Sequence, residues 1–194
     1  MSELLLKHFR SRISISDKEF QLLLDNLEHK KVRRKEKLLE AGNVCNGSFY
    51  VNKGLLYSYF NDINGIEHVV HFAMENYWIS DLYSLLNNTP ATIDIVALED
   101  SDVYLLRADV LEKLLVEIPS LERYYRILYQ NAYTATQQRL DCTLSVPAVE
   151  RYLKLLDDNP QILQRVSLHL IASYLGITPE SLSRIRKKLT KPAV

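Results

Sequence analysis

Apolar positions along this chain change their period twice. In residues 13–27 they recur at helical spacing, with Phe20, Leu23, Leu24 and Leu27 on one side and Ser16 and Asp17 as candidate N-caps, which predicts a short helix. In residues 37–107 the apolar residues fall into short runs. Residues 48–51, 55–60, 68–72, 92–97 and 103–106 are rich in β-branched and aromatic side chains. Turn signals separate them, among them Ala41-Gly42-Asn43, Asn52-Lys53-Gly54 and Asn61-Asp62-Ile63-Asn64-Gly65. Such spacing predicts antiparallel strands closing into a small barrel or roll, interrupted by a helical stretch over residues 80–86. The basic run over residues 30–37 reads as a solvated loop leading into a strand, with phosphate contact as the alternative.

Helical periodicity returns at Asp109, and Pro119 is placed to open a long helix over residues 119–142. Leu121, Leu128, Ala135 and Cys142 repeat every seven residues, as do Tyr125, Ala132 and Arg139. That heptad-like seam reads as a dimer helix, or else as a helix packed on its own domain. Pro147 breaks the pattern. The expected fold is therefore α+β: an antiparallel β-roll or jelly roll in residues 1–118, the long helix in 119–142 and a small helical domain in 143–194.

The most specific local pattern is Val166-Ser167-Leu168 through Lys188-Leu189. Ile171, Leu175, Ile177, Leu182 and Ile185 supply the inward faces of two helices, Ala172 is the small residue at their crossing, and Gly176 stands where the turn must go left-handed. Thr178 is a good N-cap and Pro179 suits the first helical position. This predicts a helix-turn-helix. Glu180, Ser181, Ser183 and Arg184 fall in the first turns of its second helix, the positions that reach base edges in a major groove. There Arg184 is suited to a guanine and Glu180 to a cytosine amino group. Arg186, Lys187, Lys188 and Lys191 would lie beside the phosphates.

Charge supports this placement. The net charge is zero, but residues from 143 onward hold eight Lys and Arg against four Asp and Glu, so a basic end of +4 follows a body of −4. At 47% hydrophobic and 25% charged the composition is that of an ordinary globular protein, with no apolar run long enough to span a bilayer. Residues 1–10 carry no cleavage-site pattern, so neither a signal peptide nor membrane attachment is expected and a cytoplasmic location is. Two cysteines, Cys45 and Cys142, exclude a disulfide scaffold and a four-cysteine cluster. No phosphate loop, nucleophile elbow or metal-spaced cluster points to an enzyme. Asp94, Glu99 and Asp100 read as surface loop charge.

With these motifs in place the chain resembles the Crp/Fnr family of bacterial transcription regulators over nearly its whole length. The resemblance is strongest in Gly-Ile-Thr-Pro-Glu-Ser-Leu-Ser-Arg-Ile, where Glu180 and Arg184 match the base-reading positions. Pro179 stands where many members have a basic residue, and Ser167 matches a phosphate contact. Gly54 and Gly65 match turn glycines of the family's cyclic-nucleotide roll. The family implies a homodimer paired along the long helix through Leu121, Tyr125, Leu128, Ala132 and Ala135. It also implies double-stranded DNA as partner, RNA polymerase as a further one, and a palindromic site.

Two features depart from the family. Its nucleotide pocket carries Gly-Glu and later Arg-Ser or Arg-Thr, where this chain has Ser80-Asp81, followed by Leu82, and Ala91-Thr92. Without the arginine a cyclic phosphate would be a buried anion with no counter-charge, so tight binding of cyclic AMP is not expected and the effector is unknown. His68 and His71, three apart on a strand, should point to opposite faces, which argues against heme; no cofactor or metal is expected. Second, residues 190–194 are too few for a β-hairpin wing. The competing reading is a small-molecule-sensing or signalling module whose helix-turn-helix contacts protein instead of DNA.

Overall fold

The computed structural model describes residues 3–189; Lys191 and the expectation of a missing wing in residues 190–194 lie outside them. Eight strands form two four-stranded antiparallel sheets stacked as a roll, in the α+β architecture expected. One sheet runs β1 (Glu28–Val32), β8 (Ser101–Arg107), β3 (Gly47–Lys53), β6 (Trp78–Ile79). The other runs β2 (Lys37–Leu39), β7 (Asp94–Ala97), β4 (Leu56–Asn61), β5 (Glu67–Ala73). The five expected strands are present. β1, β2 and β6 were not legible: the first is an edge strand with a charged outer surface, and the other two are only three and two residues long. The run over residues 30–37, expected as a loop leading into a strand, begins instead as the end of β1 and turns tightly before it enters β2.

Nine helices are described: α1 (Glu3–Arg10), α2 (Asp17–Asp25), α3 (Leu82–Asn87), α4 (Ala108–Glu117), α5 (Ser120–Ser145), α6 (Ala148–Asp158), α7 (Ile162–Arg165), α8 (Leu168–Tyr174) and α9 (Pro179–Leu189). Ser16 caps α2 in a reciprocal capping box with Glu19. α1, which has too short an apolar pattern to read in isolation, is held by tertiary packing: Phe9 stacks on Tyr124 with ring centroids 4.1 Å apart, beside Leu5 and Phe20.

Three apolar clusters follow from this layout. Val51, Leu56, Ile95, Ala97 and Val103 fill the space between the sheets. Tyr50 and Leu106 face outward and meet α1, α2, α4 and the first half of α5. Leu121 and Tyr125, expected on a dimer seam, are buried in this second cluster, with Leu128 packed against it. Those turns of α5 bind their own roll because α1 and α4 supply the apolar partners. Ala132 is half-buried, and Ala135 lines a cleft toward α6 and α8. The third cluster joins the outer face of the other sheet (Leu55, Tyr57, Val69, Phe72) to the C-terminal helices (Tyr152, Ile162, Ile171, Leu175, Leu182).

Polar contacts fix that last junction. β5 is an edge strand, so its outward N–H and C=O groups need partners. Ser173 on α8 accepts from Val69 N–H at 2.9 Å and donates to Glu67 C=O at 2.9 Å. Arg139 on α5 donates to Val69 C=O and Tyr174 C=O and lies 4.2 Å above the Tyr174 ring. Arg165, at the end of α7, forms a paired contact with Glu75 at 2.8 and 2.9 Å and reaches Glu99 at 2.6 Å. Glu99 is therefore an interdomain ligand instead of loop charge. Asp94 is buried and bonded to Lys37 at 3.0 Å, which corrects the same expectation.

Partial burial pushes the Glu75 carboxyl up, but the hydrogen bonds from Arg165 and from backbone N–H groups outweigh this and hold it below its ordinary value. A depressed carboxyl stabilises the charged, clamped form at neutral pH and loses that contribution as the pH falls through its lowered pKa. Arg165→Gln should weaken the junction by about 1–2 kcal/mol, allowing for screening at the partly exposed carboxylates. Hydrogen exchange then quickens on the order of tenfold for amides of α8 and β5, while those of β3 and β8 keep their protection. Unchanged exchange in α8 contradicts the clamp, and so does uniform loss throughout the chain.

Candidate nucleic-acid interface

The turn between α8 and α9 is built as the local pattern requires. α8 ends in a Schellman motif: Gly176 N–H reaches Ser173 C=O and Ile177 N–H reaches Ala172 C=O, each at 3.0 Å. Gly176 has φ +65°, and a Cβ there would meet nothing within 4 Å, so the glycine is required by backbone conformation and not by space. Thr178 Oγ1 accepts from Ser181 N–H at 3.2 Å, capping α9, and Pro179 takes the first helical position. Ser167 caps α8, accepting weakly from Leu170 N–H at 3.4 Å.

This turn aims α9. Leu182 and Ile185 are buried against Ile171, Ala172 and Leu175, which leaves the opposite face of α9 outward. Thr178, Pro179, Glu180, Ser183, Arg184, Lys187 and Lys188 are exposed, with Ser181 and Arg186 partly so. Ser167 is exposed at the start of α8. All ten residues expected to meet DNA thus lie at the start of α8 or on α9 and its cap, eight of them exposed and two partly so. Arg184 Nη2 donates to Ser181 Oγ at 3.3 Å, one turn back. The Glu180 carboxyl is held below its ordinary value by its own backbone N–H, then by the Thr178 hydroxyl, with Arg184 adding a smaller pull. Cations in the last turn of α9, Arg186, Lys187 and Lys188, complement the helix dipole.

The second candidate site lies in the roll. Asp81 is buried and caps α3: Oδ1 accepts from Ser84 N–H at 3.0 Å and Oδ2 from Thr92 N–H at 3.1 Å. Both carboxylate oxygens are thereby used inside the chain. Ala91 is buried in the roll core, Ser80 and Leu82 are half-buried, and Thr92 is exposed. The backbone donors at this end of α3 already hold an anion, the side chain of Asp81 itself.

His68 and His71 lie on one face of β5 and not on opposite ones. The register shifts opposite Ser58 and Tyr59, leaving Val70 as an extra residue, so His71 pairs with Ser58 and His68 with Phe60. His68 is held by Asp62 at 3.2 Å and stacks on Phe60. Among the described residues no group of three or more His, Cys, Asp or Glu is placed to hold a metal ion, and no helix is long and apolar enough to cross a membrane.

Three functional features escaped the sequence reading. Arg165 carries no motif, and Arg139 was legible only as a position of the heptad-like seam, because the partners of both are distant in the chain. On α5 the large exposed apolar side chains are Tyr133, Leu140 and Leu144, beside the heptad residue Ala135, which is also exposed. Their spacing of seven and four residues was visible, but it competed with a more apolar seam that the chain uses for itself.

Comparison with known proteins agrees with this architecture. Residues 29–117, which hold the roll, match the family model described as the cyclic nucleotide-binding domain. The transcriptional regulatory protein btr of Bordetella pertussis is 26% identical over 175 residues, covering 84% of this chain and 72% of its own. Among solved structures, FixK2 from Bradyrhizobium japonicum superposes with a TM-score of 0.74 at 19% identity, covering 84% of each chain. A protein described as a Crp/Fnr-family regulator from Eubacterium rectale superposes with a TM-score of 0.68 at 16% identity, over 90% of this chain and 83% of its own. Roll, long helix and C-terminal helices together share the fold of these solved structures.

Proposed function

We propose that this chain is a DNA-binding transcription regulator of the Crp/Fnr type, acting in the cytoplasm as a homodimer and reading a palindromic site with α9. The observation that carries this reading is the α8–α9 unit. A left-handed glycine and a Thr-Pro cap fix the crossing, and the face left outward carries Glu180, Arg184 and a row of cations. An enzyme has no use for such a face, and a bare helical hairpin has no need of it.

Dimer formation through α5 fits the exposed stripe of Tyr133, Leu140 and Leu144 better than the buried seam. Two chains paired there would present two α9 helices to successive major grooves, roughly 34 Å apart, as a two-fold symmetric site requires. In each groove Arg184 would pair with guanine once released from Ser181, and Glu180 would accept from cytosine. Ser167, Lys187 and Lys188 would hold phosphates. RNA polymerase is the further partner that this reading implies.

The roll serves this regulator without cyclic AMP. A cyclic phosphate at Ser80, Asp81, Leu82, Ala91 and Thr92 would find alanine where an arginine is needed, and N–H donors already given to Asp81. Two anions competing for the same donors is a costly arrangement. Any effector acts by shifting the pose of α8 and α9 against β5, through the contacts of Ser173, Arg139 and Arg165.

Two measurements test these statements. In gel shifts over a salt series, Arg184→Ala should relax specificity at one base pair per half-site by about 1–3 kcal/mol. Lys187→Ala should weaken all sequences alike and lower the salt slope by about one. Identical behaviour of the two variants contradicts the roles assigned, and no binding at low salt contradicts DNA as the partner. In calorimetry with cyclic AMP the expected result is no binding in the micromolar range; micromolar affinity overturns the account of Asp81.

A further inference from the structure

Glu67, the first residue of β5, lies against α8 at the junction that orients α9. Its C=O accepts from the Ser173 hydroxyl at 2.9 Å, so its backbone is part of the hold on α8. Its side chain is less well placed. Among the described residues it is the one carboxylate with a buried oxygen, Oε1, that accepts no hydrogen bond. The other acids of this junction, Glu75 and Glu99, have both oxygens on Arg165. An ionised carboxylate with a buried, unpaired oxygen is costly, and the neutral acid is less so.

Titratable groups face the Glu67 carboxyl from three other elements: Tyr57 on β4, Asp94 on β7 and His169 on α8. His169 stands one helical turn before Ser173, on the same face of α8. Asp94 is itself paired with Lys37 at 3.0 Å. Burial pushes the Glu67 carboxyl above its ordinary value. The Tyr57 hydroxyl and then His169 pull it back, and Asp94 adds a smaller push.

We propose that Glu67 is an acid-sensitive latch: proton uptake by its carboxyl tightens α8 on β5, and ionisation loosens it. The direction follows from the hydration of the carboxylate. When α8 lifts from β5, water reaches Oε1 and the carboxyl returns toward its ordinary value of 4.5. A carboxyl raised in the docked state favours docking fully below the ordinary value and loses that contribution as the pH rises through the raised one. Glu75 responds in the opposite sense, because Arg165 and backbone N–H groups, against partial burial, hold its carboxyl below the ordinary value. Mild acid therefore secures α8 through Glu67 before stronger acid releases Arg165 from Glu75. The pose of α9 follows that of α8 across Gly176, so the bearing on DNA rests on the reading of α9 proposed above; the hold on α8 does not.

The test is hydrogen exchange on the full chain without DNA, expressed as protection relative to unstructured peptide so that the pH dependence of exchange itself cancels. In the wild type, protection of the α8 amides and of Val69 N–H should rise roughly threefold between about pH 7.5 and about pH 5, while β3 and β8 stay level. Glu67→Gln, which resembles the neutral acid in shape and charge, should show the higher protection at both pH values. Tyr57→Phe keeps the carboxyl and removes a group that holds its value down, so the rise should be centred at higher pH. His169→Gln should keep the rise, which separates Glu67 from the imidazole that faces it. The proposal is overturned if the wild type shows no rise in α8, if Glu67→Gln still shows it, if Tyr57→Phe does not move it upward, or if His169→Gln abolishes it. With no DNA present, these outcomes leave the reading of α9 to the gel shifts that test it.

Discussion

β5 has a neighbour on only one side, and the backbone groups along its free edge must be satisfied by something other than a strand. Here they are satisfied by α8, through the Ser173 hydroxyl, and by Arg139 from the long helix. The consequence reaches the whole molecule. Once α8 is laid on β5, Gly176 and the Thr178 cap determine where α9 points, and the buried Leu182 and Ile185 determine which face it shows. Arg165, shared between Glu75 and Glu99, locks the same junction from the other end. The orientation of the proposed DNA-reading face is therefore a property of the roll's edge as much as of the helix-turn-helix.

This arrangement also bears on the proposal that the roll takes no cyclic AMP. Asp81 supplies the anion that the donors at α3 and Thr92 would otherwise seek from a ligand. In the proposed reading the fold needs no nucleotide at these donors, and the contacts at β5 link the roll to α8 and α9. On the same reading, control of DNA binding would depend on how firmly Ser173, Arg139 and Arg165 hold the C-terminal helices, and on anything that competes for their partners.

How much of this was legible in the sequence depended on distance along the chain. The helix-turn-helix is specified by residues within about two turns of helix on either side of Gly176, so Ala172, Gly176, Thr178 and Pro179 could be read directly. The five longer strands carried their β-branched runs. At Leu121 and Tyr125 periodicity reported that a face is apolar and not what covers it: these two are covered by α1 and α4, while Tyr133, Leu140 and Leu144 lie outside. His68 and His71 misled because a bulge at Val70 breaks the alternation on which the expectation rested. Arg165 could not be found at all, since its carboxylates lie 66 and 90 residues away.

The most direct test of the account is selection of bound fragments from a random duplex pool by the purified full chain at low salt. The account predicts enrichment of an inverted repeat whose half-site centres lie roughly one helical turn apart, the spacing that two α9 helices would impose. Recovery of no enriched sequence, or of a single unpaired half-site, would contradict it.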